Sequence, residues 1–200
     1  MRQVTGARHF SQAIAEGDGI SVIAEVADIA AAREAEEQGA EALALHMPIE
    51  GIREATSLPL LWRPRVSPAA ASSAGADACV LVRPDGDDVG EELERLHREA
   101  LELGLDCVVE VRDEDEIQLA LERIDPEIFL LSGLDGDDDA QPLDRALELL
   151  PDVPAGKLAV AEMAVAGRDD VAELERAGVD AVIVRDGNVA ELVGGAPPEV

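Results

Sequence analysis

Eight short apolar runs, separated by helix-like stretches, restrict most sharply what this 200-residue chain can fold into. The runs are Ile20–Val26, Ala42–His46, Leu58–Trp62, Ala78–Val82, Cys107–Val111, Ile128–Leu131, Leu158–Ala161 and Ala181–Val184. Each has the length and apolar content of a strand covered on both faces. Between them, apolar residues recur at three- and four-residue spacing, the mark of one buried helix face. This is clearest over Ile29–Gln38, Val89–Leu103, Asp113–Arg123, Leu143–Leu150 and Asp169–Ala177. Ile49–Ala55 and Pro68–Ala74 show weaker helical patterns, and Asn188–Val193 is a stub. Such alternation predicts a parallel sheet covered by helices.

A weak internal repeat sharpens the expectation. Four runs are led in by glycine, any residue, then an acid: Gly39-Ala40-Glu41, Gly75-Ala76-Asp77, Gly104-Leu105-Asp106 and Gly178-Val179-Asp180. The glycine suits the left-handed residue that closes a helix. Eight such units predict an α/β fold, a compact (β/α)8 barrel with short loops after its strands. The alternative is a doubly wound open sheet. It would ordinarily carry a glycine-rich turn after its first strand, and Ala27-Asp28-Ile29-Ala30 has none. One domain is expected over residues 1–200, with a helix over 9–17 ahead of the barrel and a frayed Gly/Pro-rich tail over 194–200.

Charge decides which partners to expect. Forty-four acidic residues face sixteen basic ones, for a net charge of −28, and Lys157 is the sole lysine. A hydrophobic fraction of 47% argues against disorder. The expectation is a folded, acid-coated domain suited to a hypersaline cytoplasm, where salt screens its self-repulsion. Nucleic acid and anionic membrane are not expected as partners, because both call for clustered cations. No apolar stretch approaches the roughly 20 residues of a membrane span. The first ten residues lack the apolar core of a signal peptide, which points to the cytoplasm. Cys79 and Cys107 sit inside apolar runs and read as buried thiols. The acid-rich stretches Asp85–Asp88 and Asp135–Asp139 read as solvated turns, the second lacking the ligand spacing of a calcium loop. The sequence sets no oligomeric state.

Several runs together, in order, carry a resemblance. Ile20-Ser21-Val22-Ile23-Ala24-Glu25-Val26 resembles the first strand of the indole-3-glycerol-phosphate synthase family. Leu58-Pro59-Leu60-Leu61-Trp62-Arg63 resembles its third strand, and Ala74-Gly75-Ala76-Asp77-Ala78 the lead-in to its fourth. The fifth is matched by Gly104-Leu105-Asp106-Cys107-Val108-Val109-Glu110-Val111-Arg112-Asp113-Glu114. Val160-Ala161-Glu162 fits the seventh, and Ala177-Gly178-Val179-Asp180-Ala181-Val182-Ile183-Val184 the eighth. Even Phe10–Gly17 resembles the helix preceding that family's barrel, so the likeness spans roughly residues 9–190.

The resemblance implies a barrel that closes the indole ring of a carboxyphenylamino ribulose phosphate, releasing CO2 and water, without a cofactor or a metal. It implies that Glu25, Glu110 and Glu162 stand as catalytic carboxylates at the carboxyl ends of their strands. It also exposes departures. Where the family has a lysine after its first strand, this chain has Ala27. Where the family's third strand ends in a general-acid lysine, this chain has Arg63, and a guanidinium cannot deliver a proton near neutral pH. Leu131, Ser132 and Gly133 stand at the sixth-strand positions of the family's asparagine and the two residues after it. Met163-Ala164 replaces a Ser-Gly phosphate turn, and Val184-Arg185-Asp186 replaces Val-Gly. The long loop after the first strand is almost absent. Lys157 begins the seventh strand and should lie at the opposite end of the barrel from Glu162.

Three functions are open at this point: a working synthase, a different enzyme on the same barrel mouth, and a non-catalytic relative. The candidate residues are Glu25, Glu110, Glu162 and Arg63 for chemistry, and Arg185, Ser132, His46 and Arg65 for holding a small anionic or phosphorylated ligand. A divalent metal on the three carboxylates and His46 is the weaker reading of the same cluster.

Overall fold

The computed structural model describes residues 10–16, 19–64, 67–84, 86, 88–132, 142–163, 167–185 and 189–192. Arg65, Gly133, the acidic stretch 135–139, Ala164 and the tail 194–200 lie outside the described residues.

The eight runs form eight parallel strands that pair in chain order and close on themselves, β8 returning to β1. The strands are β1 (Ser21–Val26), β2 (Ala42–Leu45), β3 (Leu60–Trp62), β4 (Ala78–Leu81), β5 (Asp106–Val111), β6 (Ile128–Leu131), β7 (Leu158–Met163) and β8 (Ala181–Val184). Around and below them lie α1 (Phe10–Ala15), α2 (Ile29–Glu37), α3 (Ile52–Ala55), α4 (Pro68–Ser73) and α5 (Val89–Glu102). The ring is continued by α6 (Glu114–Arg123), α7 (Pro142–Leu149), α8 (Arg168–Ala177) and α9 (Val189–Leu192). A (β/α)8 barrel is therefore what this sequence builds.

Two strands depart from their apolar runs by two residues, for clear reasons, while β1, β2, β4 and β5 differ by a single end residue. β3 starts two residues late, at Leu60, because Pro59 has no N–H to give a ladder. β7 runs two residues further, because Glu162 and Met163 stay in register with Ile183 and Val184 although a carboxylate interrupts the apolar pattern.

The glycine repeat has a physical basis. Gly39, Gly75, Gly104 and Gly178 all have positive φ, between 73° and 99°. Three of the acids that follow tie neighbouring elements together. Asp77 Oδ2 accepts from Leu60 N at 2.8 Å, Asp180 Oδ2 from Ala159 N at 2.7 Å, and Asp106 Oδ2 from Ser11 N at 2.8 Å. The first two bonds occupy backbone donors at the amino ends of β3 and β7, and the third occupies one in the first turn of α1.

Inside the barrel the side chains stack in tiers drawn alternately from odd and even strands, as the pleat requires. Ala42, Ala78, Ile128 and Ala181 form one tier. Ile23, Leu61, Val108 and Val160 lie above it, and Ala44, Val80, Leu130 and Ile183 above them. Phe10 and Ile14 of α1 belong to the same inner cluster. They close the amino end, where Ser21 Oγ donates to Ile14 O at 3.3 Å. Each large aliphatic side chain in these tiers contributes about 1.5–3 kcal/mol by burial. A second cluster lies between barrel and helices and holds both cysteines. Cys79 and Cys107 are register neighbours on β4 and β5, free and buried. A hydrogen bond with Cys79, reinforced by burial, pushes the Cys107 thiol well above the ordinary range, so it behaves as an inert core group.

Candidate functional site at the barrel mouth

The tier above Ile23, Leu61, Val108 and Val160 consists of the residues two positions further along the same odd strands. These are Glu25, Arg63, Glu110 and Glu162. The three glutamates are each the penultimate residue of a six-residue strand, which puts them at one height at the carboxyl end. The next even tier begins with His46 after β2, Ser132 after β6 and Arg185 after β8. Seven of the eight site residues expected from sequence therefore line one mouth. The eighth, Arg65, is outside the described residues.

Lys157 lies at the far end, as expected. Its Nζ is 2.6 Å from Asp125 Oδ1 and donates to Asp125 O at 3.3 Å.

The charges at the mouth form a connected chain. Arg63 Nη2 donates to Glu162 Oε2 at 2.6 Å, reaching from β3 to β7, four strands away around the barrel. Arg185 donates to the other oxygen, Glu162 Oε1, from Nη2 at 2.6 Å and from Nε at 3.2 Å. Arg185 Nε also lies 3.4 Å from Glu25 Oε2, and His46 Nε2 is 3.0 Å from that same oxygen. Glu162 is almost fully buried, with 1% exposure, and Arg63 has 8%. Glu110 (6% exposed) and Ser132 (4%) are buried beside them. Both oxygens of Glu162 are thus engaged by guanidinium donors, and charge-assisted bonds of this kind are each worth about 1.5–3 kcal/mol.

Arg63 is incompletely satisfied. Its Nε and Nη1 are buried and have no hydrogen-bond partner among the described residues. Each such orphan donor costs about 1–3 kcal/mol.

One ion-pair group at the mouth was missed by reading the sequence. Buried Glu116 accepts from Arg112 N at 2.9 Å and from Arg112 Nη2 at 2.6 Å, with Arg83 Nη1 at 3.9 Å. Asp113 caps the same helix by accepting from Glu116 N at 2.8 Å. The signal was the spacing Asp113-x-x-Glu116 at a helix start, which is a capping pattern. A cleft of about 190 Å³ opens beside it, lined by Arg83, Pro84, Gly86, Val89 and Arg112. A larger groove of about 470 Å³ runs outside β1 and β8, against α2, and reaches Glu25 and Arg185. Among the described residues, no group of three or more His, Cys, Asp or Glu side chains could hold a metal ion. No helix among them is long and apolar enough to cross a membrane.

Fold and mouth together define a class: closed parallel barrels whose polar groups gather at the carboxyl ends of the strands. Solved structures agree on the fold. The chain is similar to QR15, an aldolase, with TM-score 0.64 and 15% identity over 86% of this chain and 92% of that one. It is also similar to thiamine phosphate pyrophosphorylase from Pyrococcus furiosus, with TM-score 0.63 and 16% identity over 86% and 89% of the two chains. Sequence identifies the family. Residues 65–188 match the profile of indole-3-glycerol phosphate synthase, and the chain belongs to that family. An indole-3-glycerol phosphate synthase from a Nocardioides species (strain JS614) is 38% identical over 121 residues, 60% of this chain and 45% of the relative. Another from a Geobacillus species (strain WCH70) is 28% identical over 141 residues, 68% of this chain and 54% of the relative. The chain thus spans about half the length of the curated relatives it matches.

Proposed function

We propose that this barrel is a divergent family member that does not close the indole ring and instead holds a small anionic ligand at its mouth. The observation that carries this reading is Glu162 gripped from both sides by Arg63 and Arg185. With Oε2 held by Arg63 and Oε1 by Arg185, the carboxylate of Glu162 is engaged on both oxygens and turns neither to a substrate. The guanidinium standing where the resemblance puts a general-acid lysine stays charged and has no proton to give near neutral pH. Only Ala27 and Asp28 separate β1 from α2, so this connection is too short to fold over a substrate. Asp28 is itself engaged as the cap of α2, accepting from Ala31 N at 2.8 Å. What remains at the mouth is cation chemistry that binds and orients, supplied by Arg63 and Arg185. Expression of the chain in a salt-tolerant tryptophan auxotroph lacking the synthase tests the reading. No growth without tryptophan is expected, and growth dependent on Glu162 would overturn it.

A further inference from the structure

The charge balance of the chain reverses at one point on the rim of the barrel. We infer that the cleft beside the ends of β4 and β5 is a phosphate site, built by Arg83 and Arg112 and separate from the mouth.

The chain carries 44 acidic residues against 16 basic ones, yet Arg83, Arg112 and Arg145 gather here around the one buried carboxylate of Glu116. Arg112 directly follows β5, and Arg83 stands two residues past the end of β4. Glu116 gives both oxygens to Arg112. Oε1 accepts from Nη2 at 2.6 Å, and Oε2 accepts from the backbone N at 2.9 Å and from Nε at 3.2 Å. Arg145 Nη2 donates to Arg112 O at 2.7 Å, so Arg112 is held by backbone and side chain together. Arg83 is held far more loosely. Its Nη1 stands 3.9 Å from Glu116 Oε1, beyond hydrogen-bond reach, and its guanidinium makes no hydrogen bond among the described residues. A guanidinium cannot shed its charge or accept a bond, so these donors call for an anion. The cleft they face holds about 190 Å³ and is lined by Arg83, Pro84, Gly86, Val89 and Arg112, with no carboxylate among the described residues of its wall. Asp113, next to Arg112 in the chain, is turned to the start of α6, where it accepts from Glu116 N at 2.8 Å. A Cβ built on Gly86 would meet nothing within 4 Å, which leaves room beside the bare backbone. Two guanidiniums on one wall suit a divalent oxyanion better than a monocarboxylate. A phosphoryl group carries about 1.5 to 2 negative charges near neutral pH and three acceptor oxygens, enough to engage Arg83 while facing Arg112.

The test is titration of potassium phosphate into the full ¹⁵N-labelled chain, at constant ionic strength set with KCl, following the Gly86 and Val89 amides and the arginine Nε–H signals. The expected result is a saturable shift at Gly86, Val89 and Arg83, with acetate about tenfold weaker or worse. Glycerol 3-phosphate forms a second arm. Tighter binding than inorganic phosphate assigns the site to a phosphomonoester, and equal binding assigns it to phosphate itself. Arg83→Gln, at a half-exposed position, should keep the fold and weaken phosphate by about tenfold or more, since bonds to charged groups carry that much. Arg83→Lys should fall between the two, because it keeps the charge and loses the planar fork. Arg95→Gln, on the exposed face of α5, should leave phosphate binding unchanged. Shifts that do not saturate, an equal response to acetate, or undiminished phosphate affinity in Arg83→Gln would each overturn the inference. Shifts confined to Arg63 and Arg185 would overturn it too, by placing the anion at the mouth.

Discussion

Arg63 and Glu162 meet at 2.6 Å although β3 and β7, the strands that carry them, lie on opposite sides of the barrel. The pair is a strut across the mouth, and both ends are buried. Removing one member leaves the other charged and desolvated, which typically costs about 3–5 kcal/mol. Glu162→Gln should cost more than Arg63→Met, because Glu162 also neutralises Arg185, whereas after Arg63→Met it keeps that second partner. The double substitution Arg63→Met/Glu162→Gln should cost less than the sum of the two. Urea midpoints at fixed KCl measure all three. Strict additivity would show that the strut carries no coupling energy.

The lead-in acids predict an unequal response to truncation. Asp180 receives Ala159 N at 2.7 Å in a part-buried setting, so Asp180→Ala should destabilise by about 1–3 kcal/mol and speed amide exchange at Ala159. Glu41 occupies the same place in the repeat but makes no such bond among the described residues. Glu41→Ala should therefore stay within about 0.5 kcal/mol of the parent. Equal losses at the two sites would show that the repeat's acids do not act through this bond.

Much of this was legible beforehand because it depends on period and punctuation. Strand-length apolar runs and left-handed glycines are local signals, and a barrel is their global consequence. Glu25 and Glu110 were readable as penultimate residues of their runs, whereas Glu162 lay just beyond its run and was placed at the mouth only by the family resemblance. The pairing at the mouth was not readable. Arg63 and Glu162 are 99 positions apart, and whether two charges meet across a barrel depends on strand order and tilt, not on spacing. Reading Glu25, Glu110 and Glu162 as a free acid cluster overlooked that Arg63 and Arg185 would share the oxygens of Glu162. The Arg83–Arg112–Glu116 group went unnoticed for a different reason: a capping pattern was read as part of a helix rather than as an anchor for the mouth.

Salt is expected to hold this fold together. A net charge of −28 repels itself over a Debye length of about 10 Å at 0.1 M salt, shrinking to about 3 Å at 1 M. The melting temperature should rise steadily from low salt toward molar KCl. Sodium sulfate matched in ionic strength should do at least as well. A melting temperature unchanged by KCl would contradict a screening role.

A histidine outside the mouth sets a pH response. Burial holds the His97 imidazole below its ordinary value of 6.5. The unfolded chain therefore takes the proton first as pH falls, and stability is lost below about 6.5 until the folded form also protonates. Glu36, lowered chiefly by the Ser57 hydroxyl, contributes only at more acidic pH, below its ordinary 4.5. Stability should thus decline as pH falls below about 6.5, and His97→Gln should flatten that decline. An unchanged slope in the variant would assign the decline elsewhere.

The claim that matters most is that an arginine-clamped carboxylate has replaced a proton-transfer site. Purified protein should be given the carboxyphenylamino ribulose phosphate substrate at high KCl and assayed for indole-3-glycerol phosphate. Loss of a general acid alone removes about 10² to 10⁴ in rate, and poor substrate positioning compounds it. The account predicts no turnover above background, and none gained by Arg63→Lys alone. Turnover near the ordinary enzyme median of ~10 s⁻¹ would contradict it and show that the clamped mouth opens to do the family's chemistry.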